Sequence, residues 1–431
     1  MSKRSLSRLY GEQLDLATPR QWQELVPKNI LQEVAEQYGG DEADGKLCAP
    51  VHFWILLVGV LSKGCSSLKD LIGRSQERFG TILGWRQGNN PWVTPSALSQ
   101  RNKDRPVAFW RSLYQRLRGH HFGGGWLRKA WQKKFTGIEA IDSSTFRLMA
   151  RLRHVFLPSG SGGAKKGSAN RKGALKIHQV YHVGDELPAD VAIGPAREHD
   201  AKGVKKALTQ ACKGVLYLID RGYCSFELWR NIDNALASFI TPLKEGMVYE
   251  HLKWLNPKKQ RDHMCDELVL FPGMSQGDDF TILRVVQILQ EDGKWWSYVT
   301  NLISDELTPE DIQEIYSLRW RIEIFFRHLK HTLNMGHWFA ESEAGVQAQL
   351  YAALIGYILS QVVLLWVSRE ARIAPEQYRF TTVVHELAEW LSSQLHINHL
   401  LPWEDLLDRV RRNALEKDHR RNSQYFMALS A

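Results

Sequence analysis

Cysteine is scarce in this chain, and no two cysteines are spaced as a CxxC pair. The five cysteines, among 431 residues, lie at positions 48, 65, 212, 224 and 265. Paired spacing is the usual mark of a structural zinc site, and small secreted proteins depend on dense disulfides. The pattern argues against both and fits the reducing cytoplasm. The segment MSKRSLSRLYGEQLDL at the start also lacks the apolar stretch of a secretory signal.

The sequence has no apolar stretch that predicts a membrane span. The best candidate, YAALIGYILSQVVLLWV at residues 351–367, is shorter than the ~20 residues that a spanning helix needs. It also contains Ser360 and Gln361. We therefore expect a helix buried inside the protein and no membrane partner. An apolar fraction of 44% and a charged fraction of 24% are ordinary for a globular chain.

Acidic residues are missing from one basic stretch and almost missing from another. Residues 151–176 contain seven lysines and arginines and no acid, and residues 101–134 contain ten against Asp104 alone. The whole chain has a net charge of +9. A merely solvated surface usually mixes signs, so both stretches indicate contact with nucleic acid. A Gly/Ser-rich loop in the first stretch offers four candidate phosphate contacts: Lys165, Lys166, Arg171 and Lys172.

Residues 1–135 have helical patterns. Thr94 is a predicted helix cap, and Pro95 takes the first helical position after it. A basic helical region ahead of a larger domain suggests a DNA-recognition module, and a plain helical lid is the alternative.

From residue 137 onwards, the sequence changes to short runs rich in β-branched and aromatic residues. Five such runs are bounded by Gly, Pro or polar residues: GIEAIDSSTFRL, ALKIHQVYHV, LPADVAIG, VLYLID and ASFITPLK. Helical patterns precede and follow the fourth run, which predicts a mixed α/β sheet. Asp200, before the first of these helices, is most simply a helix cap.

Asp142 and Asp220 each lie where a strand is expected to end. As single residues, both are explained by the preference of Asp for turns. If their strands are neighbours in the sheet, however, the two carboxylates share one edge and need a cation between them. Hard oxygen ligands of this kind suit Mg²⁺ or Mn²⁺.

A third carboxylate is predicted on a helix over residues 308–334, which Thr308 caps and Pro309 begins. At ~100° per residue, seven apolar side chains share one face that should pack on the sheet. They are Ile315, Leu318, Ile322, Phe325, Phe326, Leu329 and Leu333.

Four further residues of this helix lie beside the apolar face in an arc about 60° wide. They are Tyr316, Arg319, Glu323 and Lys330. An ordinary charged flank would explain any one of them, but it explains their alignment less well.

These four residues resemble the Y-(2)-R-(3)-E-(6)-K signature of DDE transposases of the insertion-sequence-four family, with all three spacings matched. Asp142 in AIDSSTFRL resembles the first aspartate of that family. Asp220 in LIDRGYCSF resembles the second, which lies in a D-R-G-Y/F context. The resemblance covers most of residues 94–370 and implies that Asp142, Asp220 and Glu323 are the catalytic, metal-binding carboxylates.

The resemblance also implies a fold. We expect an α/β protein with an RNase H-like mixed sheet core formed by residues 136–246 and 301–370. A β-strand insertion would occupy residues 247–300, and a helical DNA-binding region would precede the core at residues 1–135. Residues 371–431 would form C-terminal helices that help to assemble a homodimer on DNA.

The implied activity is cut-and-paste transposition of an insertion sequence in a bacterial or archaeal cytoplasm. Two Mg²⁺ or Mn²⁺ ions would serve phosphodiester hydrolysis and 3′-OH strand transfer, with hairpin ends as intermediates. The partners would be double-stranded terminal repeats and target DNA.

The resemblance assigns DNA contacts as well. Tyr316, Arg319 and Lys330 are expected to hold phosphates beside the scissile bond. Three tryptophans of the insertion are candidates for stacking on a flipped base, although a Trp on a strand is more often part of the core. They are Trp254, Trp295 and Trp296.

Three other classes of protein are alternatives to an active transposase. An RNase H-like nuclease would share the metal chemistry without strand transfer. A catalytically inactive DNA-binding protein derived from a transposase would tend to lose a carboxylate, and all three candidates are present. A tyrosine recombinase would place its nucleophile after an H-x-x-R motif, but Arg327 and His328 follow Tyr316.

Overall fold

The structure is a computed structural model. It describes residues 23, 25–40, 46–76, 92–121, 129–148, 152, 155–156, 173–198, 200–255, 263–274, 281–393 and 401–415. The chain divides into two compact units. One comprises residues 1–124, 146–175 and 326–424, and the other comprises residues 125–145, 176–325 and 425–431.

The helices are numbered in chain order. They are α1 (Lys28–Tyr38), α2 (Ala49–Leu61), α3 (Leu68–Ser75), α4 (Pro95–Asp104), α5 (Val107–His121), α6 (Lys129–Lys134), α7 (Asp200–Ala207), α8 (Phe226–Asn234), α9 (Pro309–Ser317), α10 (Trp320–His331), α11 (Glu343–Ala371), α12 (Phe380–Ser393) and α13 (Trp403–Ala414).

The strands form one sheet. They are β1 (Gly137–Arg147), β2 (Ala174–His182), β3 (Leu187–Pro195), β4 (Val215–Ile219), β5 (Ser238–Pro242), β6 (Glu250–Trp254), β7 (Met264–Leu270), β8 (Ile282–Leu289) and β9 (Trp295–Thr300).

Helix α11 is the centre of the first compact unit and contacts α2, α4, α5, α12 and α13. It is long and apolar enough to cross a membrane by length and composition, but 94% of its most apolar window is buried inside the protein. Two of its buried polar side chains bond within the helix: the Ser360 hydroxyl donates to the Gly356 carbonyl at 2.8 Å, and Gln361 Nε2 donates to the Tyr357 hydroxyl at 2.9 Å. These contacts are those of the buried helix predicted for this segment.

Two predicted helix starts are present. The Thr94 hydroxyl accepts a hydrogen bond from the Ala97 amide at 3.1 Å, which caps α4. Thr308 and Asp311 form a capping box at the start of α9, each side chain accepting from the other's backbone amide. The caps supply acceptors that the first helical turn itself lacks.

In the part of the chain that the structure describes, the sheet has nine strands in the order β3-β2-β1-β4-β5-β9-β8-β7-β6. Strands β1, β4 and β5 are parallel neighbours. The pairs β5–β9, β9–β8, β8–β7 and β7–β6 are antiparallel. All five runs predicted between residues 137 and 244 form strands, and helices separate some of them. The predicted mixed α/β sheet is therefore confirmed.

Strands β6 to β9 extend this sheet through the β5–β9 pair. Buried Arg284 of β8 donates to both oxygens of Asp266 on β7, at 2.7 and 2.8 Å. Its remaining N–H groups donate to the carbonyls of Ser304 and Leu307, both at 2.9 Å, with Leu302 at 3.4 Å. One guanidinium thus ties the extension to the loop that leads into α9.

The prediction of a single helix over residues 308–334 is wrong in one respect, because the segment forms two helices, α9 and α10. Between α9 and α10, Leu318 and Arg319 form a tight turn in which Arg319 N–H donates to the Tyr316 carbonyl at 3.0 Å. A hydrogen bond from residue i to residue i−3 is the 3₁₀ pattern, which winds the backbone more tightly than an α-helix and so changes the direction of the side chains that follow. All seven residues of the predicted apolar face are nevertheless buried.

Candidate active site

The parallel pairing of β1 and β4 places Asp142 beside Asp220. Ile141 pairs with Ile219 in the ladder, and each aspartate is the next residue along its strand. The prediction that Asp142 ends its strand is wrong, because β1 continues to Arg147. Asp220 does end its strand, and its Oδ2 accepts from the Gly222 amide at 3.0 Å to cap a 3₁₀ turn.

Arg319 joins three carboxylates. Its Nη1 lies 3.3 Å from Asp142 Oδ2 and 4.0 Å from Asp220 Oδ1, and its Nη2 donates to Glu323 Oε1 at 2.5 Å. Only 13% of the Arg319 side chain is exposed, so these charges interact in a partly desolvated place. The three carboxylates predicted to act together therefore do converge, around a guanidinium.

Asp142 is largely shielded from solvent, with 19% of its side chain exposed. Burial raises the pKa of Asp142 from its usual value near 3.8 to about 6. The Ser143 amide and Arg319 oppose this rise, and the charges of Asp220 and Glu323 add to it. A carboxyl whose pKa is raised towards neutral pH by its surroundings is typical of functional sites.

Tyr316 forms part of the wall of the site. Its hydroxyl donates to the Ile219 carbonyl at 3.4 Å, and its ring centroid lies 5.1 Å from that of Tyr298. The Arg319 guanidinium lies 5.9 Å from the Tyr316 ring centroid. Burial raises the pKa of Tyr316, so the phenol stays protonated as a donor at neutral pH.

Lys330 belongs to the other compact unit. Its ammonium lies 5.4 Å from the Phe146 ring centroid, which is a cation–π contact. The structure therefore brings together Tyr316, Arg319 and Glu323 of the four signature residues. The four candidates of the Gly/Ser-rich loop, Lys165, Lys166, Arg171 and Lys172, lie outside the described residues.

The tryptophans of the extension are surface residues. Trp295 and Trp296 of β9 are 45% and 49% exposed, and Trp254 of β6 is 39% exposed. Trp295 pairs with Leu289 and Trp296 with Ile288 on the neighbouring strand β8. These exposed fractions exclude a core role for the three indoles. The Trp254 ring packs on His251, with 4.4 Å between the ring centroids.

Sequence reasoning missed the residues that surround Asp142. The Ser143 amide donates to Asp142 Oδ1 at 2.7 Å, and the Ser143 hydroxyl donates to Asp200 Oδ1 at 3.0 Å. Lys176 of β2 pairs with the same Asp200 oxygen at 2.7 Å. The signals for them in the sequence are the serine after Asp142 and Asp200, for which the local sequence predicts only a helix cap.

The donor set suits a hard divalent cation, because it consists of carboxylate oxygens. Within the described residues, however, no three side chains of His, Cys, Asp or Glu are close enough to hold a metal ion between them. Arg319 lies among Asp142, Asp220 and Glu323 and supplies the positive charge that such a group of anions requires.

Comparison with known proteins defines the class of this chain. The model of the family described as "Transposase DDE domain" matches residues 133–359, more than half of the chain. The chain therefore belongs to the DDE transposases, which are DNA-cleaving enzymes that use divalent metal ions.

Within that family, it is a transposase of the insertion-sequence-four type. It is 26% identical over 309 residues to the putative transposase y4zB of Sinorhizobium fredii, covering 67% of this chain and 75% of that protein. It is 22% identical over 401 residues to the transposase for insertion sequence element IS231C of Bacillus thuringiensis, covering 81% and 79%.

A solved structure, the piggyBac transposase synaptic complex with hairpin DNA, aligns with a TM-score of 0.41 at 13% identity, covering 97% of this chain and 86% of that one.

Proposed function

We propose that this protein excises an insertion sequence from DNA and joins it to a new site. Asp142, Asp220 and Glu323 would bind two divalent metal ions, Mg²⁺ or Mn²⁺, at the bond to be cut. The observation that carries the proposal is the convergence of these three carboxylates on the Arg319 guanidinium, each within 4.0 Å. Three acids from two strands and one helix meet there, in the order Asp, Asp, Glu along the chain.

The sheet order supports an RNase H-like core for this reaction. Strands β3-β2-β1-β4-β5 are consecutive in the sheet, and β1, β4 and β5 are parallel. Under this proposal, residues 136–246 and 301–370 are the catalytic core, and residues 247–300 are an insertion. Residues 1–135 bind the element ends, and residues 371–431 take part in a homodimer on DNA.

The bound ions would activate the attacking water or 3′ hydroxyl and stabilise the leaving oxygen. The protein's own contribution is to hold these charges in place. Asp142 has one oxygen fixed by the Ser143 amide and the other turned to Arg319. Arg319 provides a fork of N–H groups that matches phosphate as well as carboxylate, so it would turn to the DNA backbone when the carboxylates bind metal.

Other DNA contacts follow from position. Tyr316 lines the site with a protonated hydroxyl, and Lys330 follows Glu323 on the same helix α10. The exposed faces of Trp295 and Trp296 would stack on a base displaced from the end of the element, as hairpin formation requires. The reaction would take place on DNA in the cytoplasm.

The test uses linear DNA that carries the ends flanking this reading frame in its source genome. Wild type, Asp142→Asn, Asp220→Asn and Glu323→Gln are incubated with Mg²⁺ and a target plasmid, and the products are resolved on a denaturing gel. Asp190→Asn is the matched control, because Asp190 is an exposed aspartate of strand β3 in the same sheet. We expect nicks, hairpin-sized fragments and joined products from wild type and the control only.

Two other results would contradict the proposal and indicate the alternatives. Cleavage without joined products would favour an RNase H-like nuclease. Binding to the ends without any cleavage would favour an inactive DNA-binding protein. Products that persist in Asp142→Asn would exclude Asp142 as a metal ligand.

A further inference from the structure

A second polar cluster lies against the candidate active site. It consists of one residue on β1, two on β2, one at the start of α7 and one in the 3₁₀ turn after Asp220: Ser143, Lys176, His178, Asp200 and Tyr223. We infer that Asp200 is a positioning residue that fixes Asp142 and Asp220 relative to each other. This inference rests on the function proposed above.

One branch of the cluster leads to Asp142. Asp200 Oδ1 accepts from the Ser143 hydroxyl at 3.0 Å and pairs with Lys176 Nζ at 2.7 Å. The hydroxyl bond fixes Ser143, and the Ser143 amide in turn donates to Asp142 Oδ1 at 2.7 Å. With that oxygen held, the other oxygen of Asp142 is the one that meets Arg319.

The other branch leads to the turn that begins at Asp220. His178 Nδ1 lies 3.9 Å from Asp200 Oδ1 and 3.1 Å from the Tyr223 hydroxyl. Burial and the nearby Lys176 lower the pKa of His178, so the ring is neutral at pH 7. Its Nδ1 faces both the Tyr223 hydroxyl and the Asp200 carboxylate, and only the Tyr223 contact is short enough for a hydrogen bond. Tyr223 is the last residue of the 3₁₀ turn that Asp220 caps.

Asp200 also approaches this turn directly. A Cβ atom placed on Gly222 would lie 3.3 Å from Asp220 Oδ2 and 3.4 Å from Asp200 Oδ2. The two carboxylates therefore flank the same glycine, and Asp200 is close to both segments that present the catalytic aspartates. Lys176 is the ion-pair partner of Asp200 in this cluster. Most of each side chain is shielded from solvent, since Lys176 is 15% exposed and Asp200 is 32% exposed.

A polar partner behind a metal-binding side chain typically changes metal affinity or activity by 10- to 100-fold when it is removed. We expect Asp200→Ala to lower the affinity of the DNA-free protein for Mn²⁺, measured by electron paramagnetic resonance, by that factor. The rate of end cleavage should fall similarly. Asp200→Asn should recover part of both, since it keeps an acceptor for the Ser143 hydroxyl, and Ser143→Ala should reproduce the loss with only one hydroxyl removed.

Glu227→Gln is the matched control. Glu227 lies in the first turn of α8 and pairs with Lys205 at 2.8 Å, and both side chains of this pair are exposed to solvent. Its Mn²⁺ affinity, cleavage rate and melting temperature should equal those of wild type. For all variants, affinity for the element ends in EDTA should be unchanged, which separates positioning from DNA binding.

Wild-type Mn²⁺ affinity in both Asp200→Ala and Ser143→Ala would overturn the inference. The inference would also be overturned if Ser143→Ala had a lower melting temperature and regained wild-type Mn²⁺ affinity and cleavage rate when assayed at a lower temperature. Asp142→Ala is measured in parallel to separate two failures. If Asp142→Ala is as active as wild type, the proposed function is wrong; if it is inactive while Asp200→Ala and Ser143→Ala match wild type, only the positioning role is wrong.

Discussion

Ile141 and Ile219 are directly opposed in the parallel ladder between β1 and β4. Asp142 and Asp220 follow them and are therefore held side by side by backbone pairing. A shift of one residue in this register would turn one aspartate to the opposite face of the sheet. The candidate site thus depends on strand register as much as on the identity of its side chains.

The first prediction concerns pH. The pKa of Asp142 is raised from about 3.8 to about 6, so the folded state holds this proton more tightly than the unfolded state. The resulting stabilisation is complete below the unfolded pKa and is lost as the pH rises through about 6. Asp142→Asn cannot ionise and should be more stable than wild type at pH 7, by up to about 3 kcal/mol.

The measurement is urea unfolding of both proteins in EDTA between pH 4 and pH 7. The difference in free energy of unfolding should grow across this range, and taking the difference removes the titration of acids that are distant from Asp142. A difference that does not change with pH would show that the environment of Asp142 does not raise its pKa.

The second prediction concerns Arg319. Its removal in Arg319→Ala leaves Asp142, Asp220 and Glu323 facing one another without a cation, which should lower the free energy of unfolding by about 1–3 kcal/mol in EDTA. Arg319→Lys should recover part of this loss, since it keeps the charge but not the fork. Mn²⁺ should stabilise Arg319→Ala more than wild type in thermal unfolding. Equal stability of all three proteins in EDTA would contradict the bridging role.

The third prediction concerns Gly222. A methyl group there would lie 3.3 Å from Asp220 Oδ2, closer than a side chain normally tolerates. Gly222→Ala should therefore displace the Asp220 carboxylate and lower the rate of end cleavage about 10-fold, with the fold preserved. Gly73→Ala, in an exposed part of α3 with open space around the new methyl, is the control and should be slightly more stable than wild type. Cleavage at the wild-type rate in Gly222→Ala would contradict the prediction.

The fourth prediction concerns the exposed indoles. Trp295→Ala or Trp296→Ala should weaken binding to a pre-melted element end by about 1–3 kcal/mol, the usual contribution of one stacked base. The melting temperature should change little, because 45% and 49% of these residues are exposed. Fluorescence titration with DNA that contains an unpaired terminal base measures the affinity, and Trp254→Ala reports on the third candidate indole. Wild-type affinity in all three variants would exclude stacking by these residues.

Much of the fold could be predicted from local sequence. β-Branched and aromatic runs gave the five strands from residue 137 onwards, and the Thr308–Pro309 pair marked the start of α9. The pairing of Asp142 with Asp220 could be anticipated because parallel neighbouring strands present their ends at one edge. These features depend on short-range propensity and periodicity, which a single sequence contains.

The rest depends on contacts between distant residues. The turn at Arg319 accompanies its bond to Asp142, 177 residues away, and periodicity cannot detect such a tertiary contact. Asp200 meets Ser143 across 57 residues, so its local sequence suggested only a helix cap. The exposure of Trp295 and Trp296 depends on where β9 lies in the sheet. The residue types of the segment predict a strand but not its position in the sheet.

The continuity of the sheet has a consequence for protein engineering. Strand β5 is paired on one side with β4 and on the other with β9, which belongs to the extension. Excising residues 247–300 to obtain a minimal enzyme would remove β9 and leave one edge of β5 unpaired, next to the strand that presents Asp220. Such bare edges recruit other strands and promote aggregation. A shortened enzyme would need a replacement strand in the place of β9.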